Sequence, residues 1–243
     1  TGVQTCALPI FLSSRALQFD LGPHGLQLAR AGQMLHASAQ VLALDALPAA
    51  LDALPAAVTP RRAALSVGID NAWVRWQVID IPPAVSGRDE RAALVRARMA
   101  EVFGSAAQGW AVAWDDRPAS TVLACALDAG VLQHLQAWAS ARGLKLQSVQ
   151  PAWLRGYAAL RGDAALGGYA ELSHGWLCLG LWSGGRWLHV RGEAMSDPAG
   201  LATVLERRLA AFDGELQGGR LFLRGMPAVS LPRGWQCVAG ADR

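Results

Sequence analysis

The segment LQFDLGPHGLQLAR, residues 17–30, places two short alternating runs on either side of a Pro-His-Gly turn. Apolar and polar residues alternate with a period of two in each run, which predicts two antiparallel strands at 16–21 and 26–31. Glycines frame the turn, because glycine permits the tight backbone path of a hairpin. A further alternating run predicts a third strand at 35–43 and hence a three-stranded meander.

A second segment of the same kind, YAELSHGWLCLGLWSGGRWLHVRGE, occupies residues 169–193. It predicts strands at 168–172, 176–182 and 186–191, the last two joined by a Ser-Gly-Gly turn. Helices are expected after both meanders. The first should begin near Pro48 or Pro55, and the second after the Asp197-Pro198 cap. Strands at 63–69 and 221–224 then follow, so the same order of elements occurs twice.

The part of the chain between the two meanders holds further alternating strands and amphipathic helices. The strands are predicted at 73–81, 110–114, 121–127 and 144–149. The helices are predicted at 88–103, from an Asp128 cap to a stop at Gly143, and at 151–161. Residues 162–168 have the composition of a loop and mark a boundary between two subdomains.

Composition excludes several classes of protein. The net charge is +3 and 17% of residues are charged, which is too little positive charge to predict nucleic-acid binding. No uninterrupted apolar run reaches the roughly 18 to 20 residues that a membrane helix needs. Apart from Cys6 in the first ten residues, the cysteines are Cys125, Cys178 and Cys237, whose wide spacing indicates buried thiols in a reducing compartment.

The first ten residues, TGVQTCALPI, resemble a translated sequencing adapter and are set aside from the fold argument. The natural start is then expected a little upstream of Phe11, which leaves the sequence open to being a fragment.

The repeated order of elements resembles the cytoplasmic actin-like proteins of bacterial envelope machines, namely the PilM family of type IV pili and the protein L family of type II secretion. The segments that carry this resemblance are 17–30, 78–104, 143–154 and 169–193. It implies an α/β fold of duplicated RNase H-like units. Subdomain I would span 11–165 with a small inserted subdomain at about 82–118, and subdomain II would span 166–243.

The resemblance also implies a nucleotide pocket between the two hairpins, formed by degenerate counterparts of its usual residues: Asp20, Gly22, Gln27, Glu171, Ser173 and Gly225. The family pattern has lysine where Gln27 stands, and a lysine there would neutralise phosphate charge. The second hairpin has Glu-Leu-Ser in place of Asp-x-Gly. We therefore expect the fold to be retained with no catalytic residues and no cofactor.

Two sharper interpretations of the hairpin residues lack support. His24 and His174 would face each other across the cleft, but no carboxylate or cysteine stands at metal-ligand spacing, so no metal site is predicted. Ser173, His174 and Asp20 can be drawn as a nucleophilic triad, but no Gly-x-Ser-x-Gly elbow supports it.

Two groups of side chains are candidates for partner binding. The first is the arginine face of the helix at 88–103, represented by Arg88, Arg91 and Arg98, and the alternative is a solvated helix surface. The second is a subset of tryptophans, Trp73 and Trp76, for which the alternative is a place in the core.

The first functional hypothesis is a non-catalytic cytoplasmic scaffold at the inner-membrane face of a pilus or type II secretion assembly platform. It would bind membrane-anchored assembly proteins, an assembly ATPase, or both, and no nucleic acid. The alternative is an ATP-binding or ATP-hydrolysing enzyme that holds magnesium with Asp20 and Glu171; a third reading is a domain without either role. A protein L relative is expected to continue past Arg243 into an apolar segment of about 20 residues. A PilM relative would remain soluble and be longer.

Overall fold

The computed structural model describes residues 16–38, 42–115, 120–160, 166–212, 216 and 218–239, so the adapter-like segment lies outside the described residues. The strands are β1 (Leu17–Gly22), β2 (Gly25–Arg30), β3 (Gln33–Ser38), β4 (Ala64–Ile69), β5 (Arg75–Asp80), β6 (Trp110–Trp114), β7 (Thr121–Asp128), β8 (Lys145–Pro151), β9 (Leu166–Ser173), β10 (Trp176–Ser183), β11 (Arg186–Ala194), β12 (Gly219–Arg224) and β13 (Trp235–Ala239). The helices are α1 (Leu47–Asp52), α2 (Arg88–Phe103), α3 (Ala129–Ala141), α4 (Ala152–Ala159) and α5 (Leu201–Ala210). Among these described helices, none combines the length and apolar composition needed to cross a bilayer.

Two five-stranded sheets share one topology. The first has the order β3-β2-β1-β4-β8, and the second has the order β11-β10-β9-β12-β13. In both, the first three strands are antiparallel and the last two join in parallel. A helix, α1 or α5, precedes the first parallel strand of each sheet. The predicted repeat of meander, helix and parallel strand is therefore confirmed.

A third sheet is formed by the part of the chain between β4 and β8, the two last strands of the first sheet. Its order is β5-β7-β6, and α2 covers one face. Val95 and Met99 of α2 are fully buried against Ile79 of β5, as the apolar spacing of this helix predicts. The other side of the insert meets the second half of the chain, where β5 and β7 pack against β11.

One hydrophobic cluster runs through both halves. It joins Phe19 and Leu65 of the first sheet to Trp153 of α4 and to Trp182 and Trp187 of the second sheet. Phe19, Leu65 and Trp153 are completely buried. Because the halves share this core, burial of apolar surface holds them against each other.

Local signals explain where the helices begin. Asp128 caps α3, as predicted, by accepting a hydrogen bond at 2.7 Å from the backbone N–H of Gly130. Glu90 in the first turn of α2 accepts one at 3.2 Å from the N–H of Gly87. Pro48 lies in the first turn of α1, whereas the segment after Pro55 forms only a 3-10 turn, Ala56–Val58. Of the two prolines considered, only Pro48 therefore lies at the start of an α-helix.

The structure corrects two predicted boundaries. The third strand was expected at 35–43, but β3 ends at Ser38; residues 42 and 43 are not in a strand, and 39–41 lie outside the described residues. The loop expected at 162–168 is wrong at its end, because β9 begins at Leu166 and pairs with β10 along its whole length. Residues 161–165 lie outside the described part.

A half-buried histidine on β11 carries a pH-dependent contribution to stability. The ring of His189 lies 5.2 Å from that of Phe212, and its Nε2 is buried with no hydrogen-bond partner among the described residues. Burial, with help from the positive charges of Arg208 and Arg191, lowers the pKa of His189 from 6.5 to about 4. The folded state therefore keeps this imidazole neutral at pH values where the unfolded chain protonates it.

We predict that the free energy of unfolding falls as pH drops from 6.5 to about 4, because only the unfolded chain takes up the His189 proton in that window. The full loss should be about 3 kcal/mol, since each unit of pKa shift corresponds to about 1.4 kcal/mol. Urea unfolding of wild type and His189→Phe at several pH values measures it. The exposed His134→Phe change is the control. An equal pH dependence in wild type and His189→Phe would contradict the assignment.

Candidate functional site at the two hairpin turns

Equivalent strands of the two sheets place one carboxylate each beside a hairpin turn. Asp20 lies on β1 and Glu171 on β9, each shortly before the turn that leads into the next strand. Across the first hairpin Asp20 faces Gln27, and across the second Glu171 faces Cys178. Gln27 is exposed and has no charge, and burial raises the pKa of the Cys178 thiol far above its usual value. Neither facing residue therefore supplies a cation.

An arginine from α4 occupies the space beside Asp20. The Arg155 guanidinium donates a hydrogen bond to Asp20 Oδ1 and forms an ion pair with it. Both groups lie directly over Gly68 of β4, where a Cβ atom would collide with Arg155 and Asp20. The missing side chain at Gly68 therefore makes room for the ion pair.

Glu171 is also engaged by neighbours within the chain. The Tyr169 hydroxyl donates to its Oε2 at 2.6 Å, and the Arg224 Nη1 lies 4.0 Å from the same oxygen. Burial raises the pKa of Tyr169, and the negative charge of Glu171 raises it further. Tyr169 thus remains protonated and serves as a donor to the carboxylate, which itself is only 6% exposed.

The two hairpin turns meet at a pair of histidines. The rings of His24 and His174 are stacked with centroids 4.7 Å apart. His174 Nδ1 lies 3.5 Å from Asp70 Oδ2 and 3.0 Å from Ser173 Oγ. His174 has a φ of +50°, which is uncommon for a residue with a side chain. The turns of the two halves are therefore in direct contact.

This geometry does not form a nucleophilic triad. Ser173 and Asp70 both approach the Nδ1 atom of His174, whereas a triad uses one ring nitrogen for the nucleophile and the other for the carboxylate. Asp20, the carboxylate considered from the sequence, pairs with Arg155 instead. Within the described residues, no group of three or more histidine, cysteine or acidic side chains is arranged to hold a metal ion.

The first residues of α4 connect the first half of the chain to the second half through hydrogen bonds and packing. The backbone N–H of Trp153 donates to Asn71 Oδ1 at 3.1 Å, and its indole N–H donates to the Tyr169 carbonyl at 3.3 Å. The ring is completely buried and contacts the rings of Trp76, Tyr157, Tyr169 and Trp187. Asn71 follows β4 and Tyr169 belongs to β9, so a single residue bridges both sheets through its backbone N–H and its indole N–H.

The predicted pocket glycines are close to protein atoms. A Cβ atom on Gly22 would collide with the Asp70 side chain. Gly225 follows β12 with a φ of +70°, and a Cβ there would collide with the carbonyl of Leu172. These glycines thus accommodate side chains and strands of the chain itself.

The predicted pocket residues have surroundings that differ from those of a magnesium-bound ATP site. Such a site needs carboxylate oxygens that hold the metal through water and a cation that faces the phosphates. Asp20 is bound by Arg155, Glu171 is bound by Tyr169, and Gln27 has no charge. Sequence reasoning missed Arg155 and Tyr169. In the structure β12 pairs in parallel with β9, and this pairing sets Arg224 opposite Glu171. A prediction of that pairing from the sequence could have located Arg224.

The candidate partner-binding residues occupy different environments. Trp76 is 7% exposed and packs edge-on against Trp153, so it belongs to the core and not to a free surface. Trp73 is half-buried against the same cluster. Arg88 and Arg98 are exposed on α2, Arg91 is half-buried, and Arg98 forms an ion pair with Glu101 at 2.7 Å. Their role in binding stays a prediction.

No family model matches this sequence, and no curated protein matches it. Solved structures do match. The cytoplasmic domain of EpsL from Vibrio cholerae, an inner membrane component of the type II secretion system, is 13% identical with a TM-score of 0.57 over 92% of this chain and 89% of that chain. A chain of the PilM–PilN type IV pilus biogenesis complex is 14% identical with a TM-score of 0.63, over 87% and 81%.

A third structure points to the same fold. It is a protein of unknown function from Bacteroides thetaiotaomicron with the actin-like ATPase fold, which is 12% identical with a TM-score of 0.57 over 91% of this chain and 87% of that chain. At these identities the likeness shows the fold alone. The predicted α/β actin-like architecture, and the structural resemblance to PilM and to a type II secretion protein, are confirmed.

We predict that Trp153→Ala lowers the free energy of unfolding by about 3–5 kcal/mol, because it empties a fully buried site shared by both halves. Trp153→Phe is the matched variant, which keeps an aromatic ring and loses the indole hydrogen bond to Tyr169. It should cost clearly less. Chemical unfolding of the three proteins measures both values. A loss below about 1 kcal/mol in Trp153→Ala would contradict the bridging role.

Proposed function

We propose that this chain is a non-catalytic scaffold of a type IV pilus or type II secretion assembly platform, at the cytoplasmic face of the inner membrane. Its work is to bind other proteins of the platform. The partners we propose are membrane-anchored assembly proteins and an assembly ATPase, with no role for nucleic acid.

The observation that carries this proposal is the ion pair between Arg155 and Asp20. In the actin-like architecture the first hairpin would receive phosphate, and a carboxylate at this position would hold the metal through water. Here a guanidinium from the same chain takes that carboxylate. This ion pair therefore supports the proposal that the protein binds other proteins with its surface and does not catalyse phosphoryl transfer.

The solved structures support the choice of machine. One similar chain is described as an inner membrane component of a type II secretion system, and another as part of a type IV pilus biogenesis complex with PilN. A secretion system and a pilus biogenesis complex are both assemblies of several proteins. We infer an assembly role of the same kind for this chain.

We predict that calorimetric titration with magnesium ATP gives no saturable binding below millimolar concentration, and that phosphate release stays at the buffer rate. The physical reason is that Asp20 is already paired and the facing Gln27 offers no charge to the phosphates. Asp20→Asn is the matched variant and should behave like wild type. Micromolar affinity together with turnover that Asp20→Asn abolishes would replace the scaffold proposal with the ATPase alternative.

Partner binding has its own test. Membrane proteins encoded beside this gene should be coexpressed as cytoplasmic segments with the full chain, and copurification measured. We predict that at least one segment binds, and that Arg88→Ala/Arg98→Ala weakens it by about tenfold if α2 forms the interface. Arg207→Ala/Arg233→Ala, with the same loss of charge elsewhere, is the control. Absence of binding by every assembly protein encoded nearby would contradict the scaffold role.

A further inference from the structure

Five cationic side chains gather at one end of the first sheet. We call this group the basic end; it consists of Arg30, Arg61, Arg62, Arg142 and Lys145. Arg30 ends β2, Lys145 begins β8, and the others stand in the turns beside the start of β4 and after α3. Strand pairing brings them together, because the row from β2 to β8 runs through β1 and β4.

Backbone hydrogen bonds fix the central part of the basic end. The N–H of Arg62 donates to the Gly143 carbonyl at 2.7 Å, and the N–H of Lys145 donates to the Ala63 carbonyl at 2.9 Å. The Arg61 side chain passes 3.8 Å from the position that a Cβ on Gly143 would take. The turn before β4 and the turn after α3 are therefore adjacent and fastened to each other.

The side chains of the basic end lack acidic partners. Within the part of the chain that the structure describes, no carboxylate lies within ion-pair distance of any of the five. Arg30, Arg61, Arg62 and Lys145 are exposed. Asp52 is the acidic residue nearby, and it offers its backbone carbonyl, at 3.2 Å, to Arg142. Counted over the described residues, the local charge is thus positive and uncompensated.

Arg142 is held in a defined position. Its guanidinium also donates to Thr59 Oγ1 at 3.3 Å and lies 5.5 Å from the centre of the Trp138 ring. Arg62 has a φ of +63°, a conformation that residues with side chains rarely adopt. This turn is consequently kept in an uncommon shape that presents cations at the sheet end.

The basic end lies away from the candidate site. Asp20 stands near the opposite end of β1, and Asp70 directly follows β4 at that same opposite end. A ligand at the basic end would leave the hairpin turns accessible. The two features can therefore serve separate purposes.

We propose that the basic end is a docking surface for an anionic lipid bilayer. The cations extend from β2 to β8, a span of three strand spacings or about 14 Å. Uncompensated clusters of lysine and arginine are attracted to the negative surface potential of a membrane with acidic headgroups. The five residues lie at strand ends and in turns, and none of them is apolar. A surface with many repeated negative charges matches this arrangement better than a single peptide does.

This inference goes beyond the assembly role and does not depend on it. A protein that failed to bind lipid could still bind assembly proteins, and a protein without assembly partners could still bind lipid. A negative result in the vesicle experiment would therefore leave the assembly role intact, and a negative result in the copurification experiment would leave the lipid proposal intact.

The test is cosedimentation of the full chain with phosphatidylcholine vesicles that contain or lack phosphatidylglycerol, at 50 mM salt. We expect binding only when the acidic lipid is present, and release at 0.5 M salt because the Debye length shortens to about 4 Å. Arg61→Glu/Arg62→Glu/Lys145→Glu should weaken binding by at least about tenfold. The conservative Arg61→Lys/Arg62→Lys variant should bind the vesicles as wild type does. A diffuse anionic surface attracts positive charge and does not require the planar, two-pronged hydrogen bonding of arginine.

The control variant is Arg96→Glu/Arg207→Glu/Arg233→Glu, which changes the net charge equally at exposed positions elsewhere. We expect it to weaken vesicle binding by less than about threefold. Circular dichroism and thermal unfolding verify that each variant is folded.

Three results would overturn the proposal. They are absence of binding to the acidic vesicles, equal weakening by the two glutamate variants, and tighter binding to a poly-glutamate peptide than to vesicles at equal anionic charge. The last result would assign the basic end to an acidic protein segment instead.

Discussion

The insertion of Trp153 between the two sheets is the interaction on which the rest of the arrangement depends. Its backbone and indole N–H groups are bonded to Asn71 and to Tyr169, and its ring fills the shared core. A buried polar group without a partner is costly, so these two hydrogen bonds fix the depth and direction of the side chain. Once Trp153 is in place, the path of α4 is set.

The position of α4 determines the chemistry of the cleft. Arg155 lies two residues beyond Trp153, and Gly156 follows it beneath the Tyr169 hydroxyl and the Glu171 carboxylate. The same helix therefore neutralises one carboxylate and leaves room for the hydrogen bond that engages the other. Packing and charge compensation have a common origin in this short helix.

Sequence reasoning succeeded where the signal is local. Periodicity and residues within one turn of each other predict the strands around the glycine turns, the Asp128 cap and the bounds of α2. The Asp20–Arg155 pair joins residues 135 positions apart, and no local pattern predicts it. Asn71 and Trp153, 82 positions apart, were missed for the same reason. Trp76 lies in the core, which is the alternative that the sequence left open, because a strand tryptophan fits a surface or a core equally well until its neighbouring layer is known.

Several glycines beside the cleft have a packing role within the chain itself. Glycine beside a hairpin turn is what phosphate approach requires, and the sequence was interpreted in that way. In the structure Gly22 accommodates Asp70, Gly68 accommodates Arg155 and Asp20, and Gly156 accommodates Tyr169. Each glycine is required by a side chain of the same protein. Substitution at these positions would be opposed by packing alone, so their presence is no evidence that a nucleotide binds.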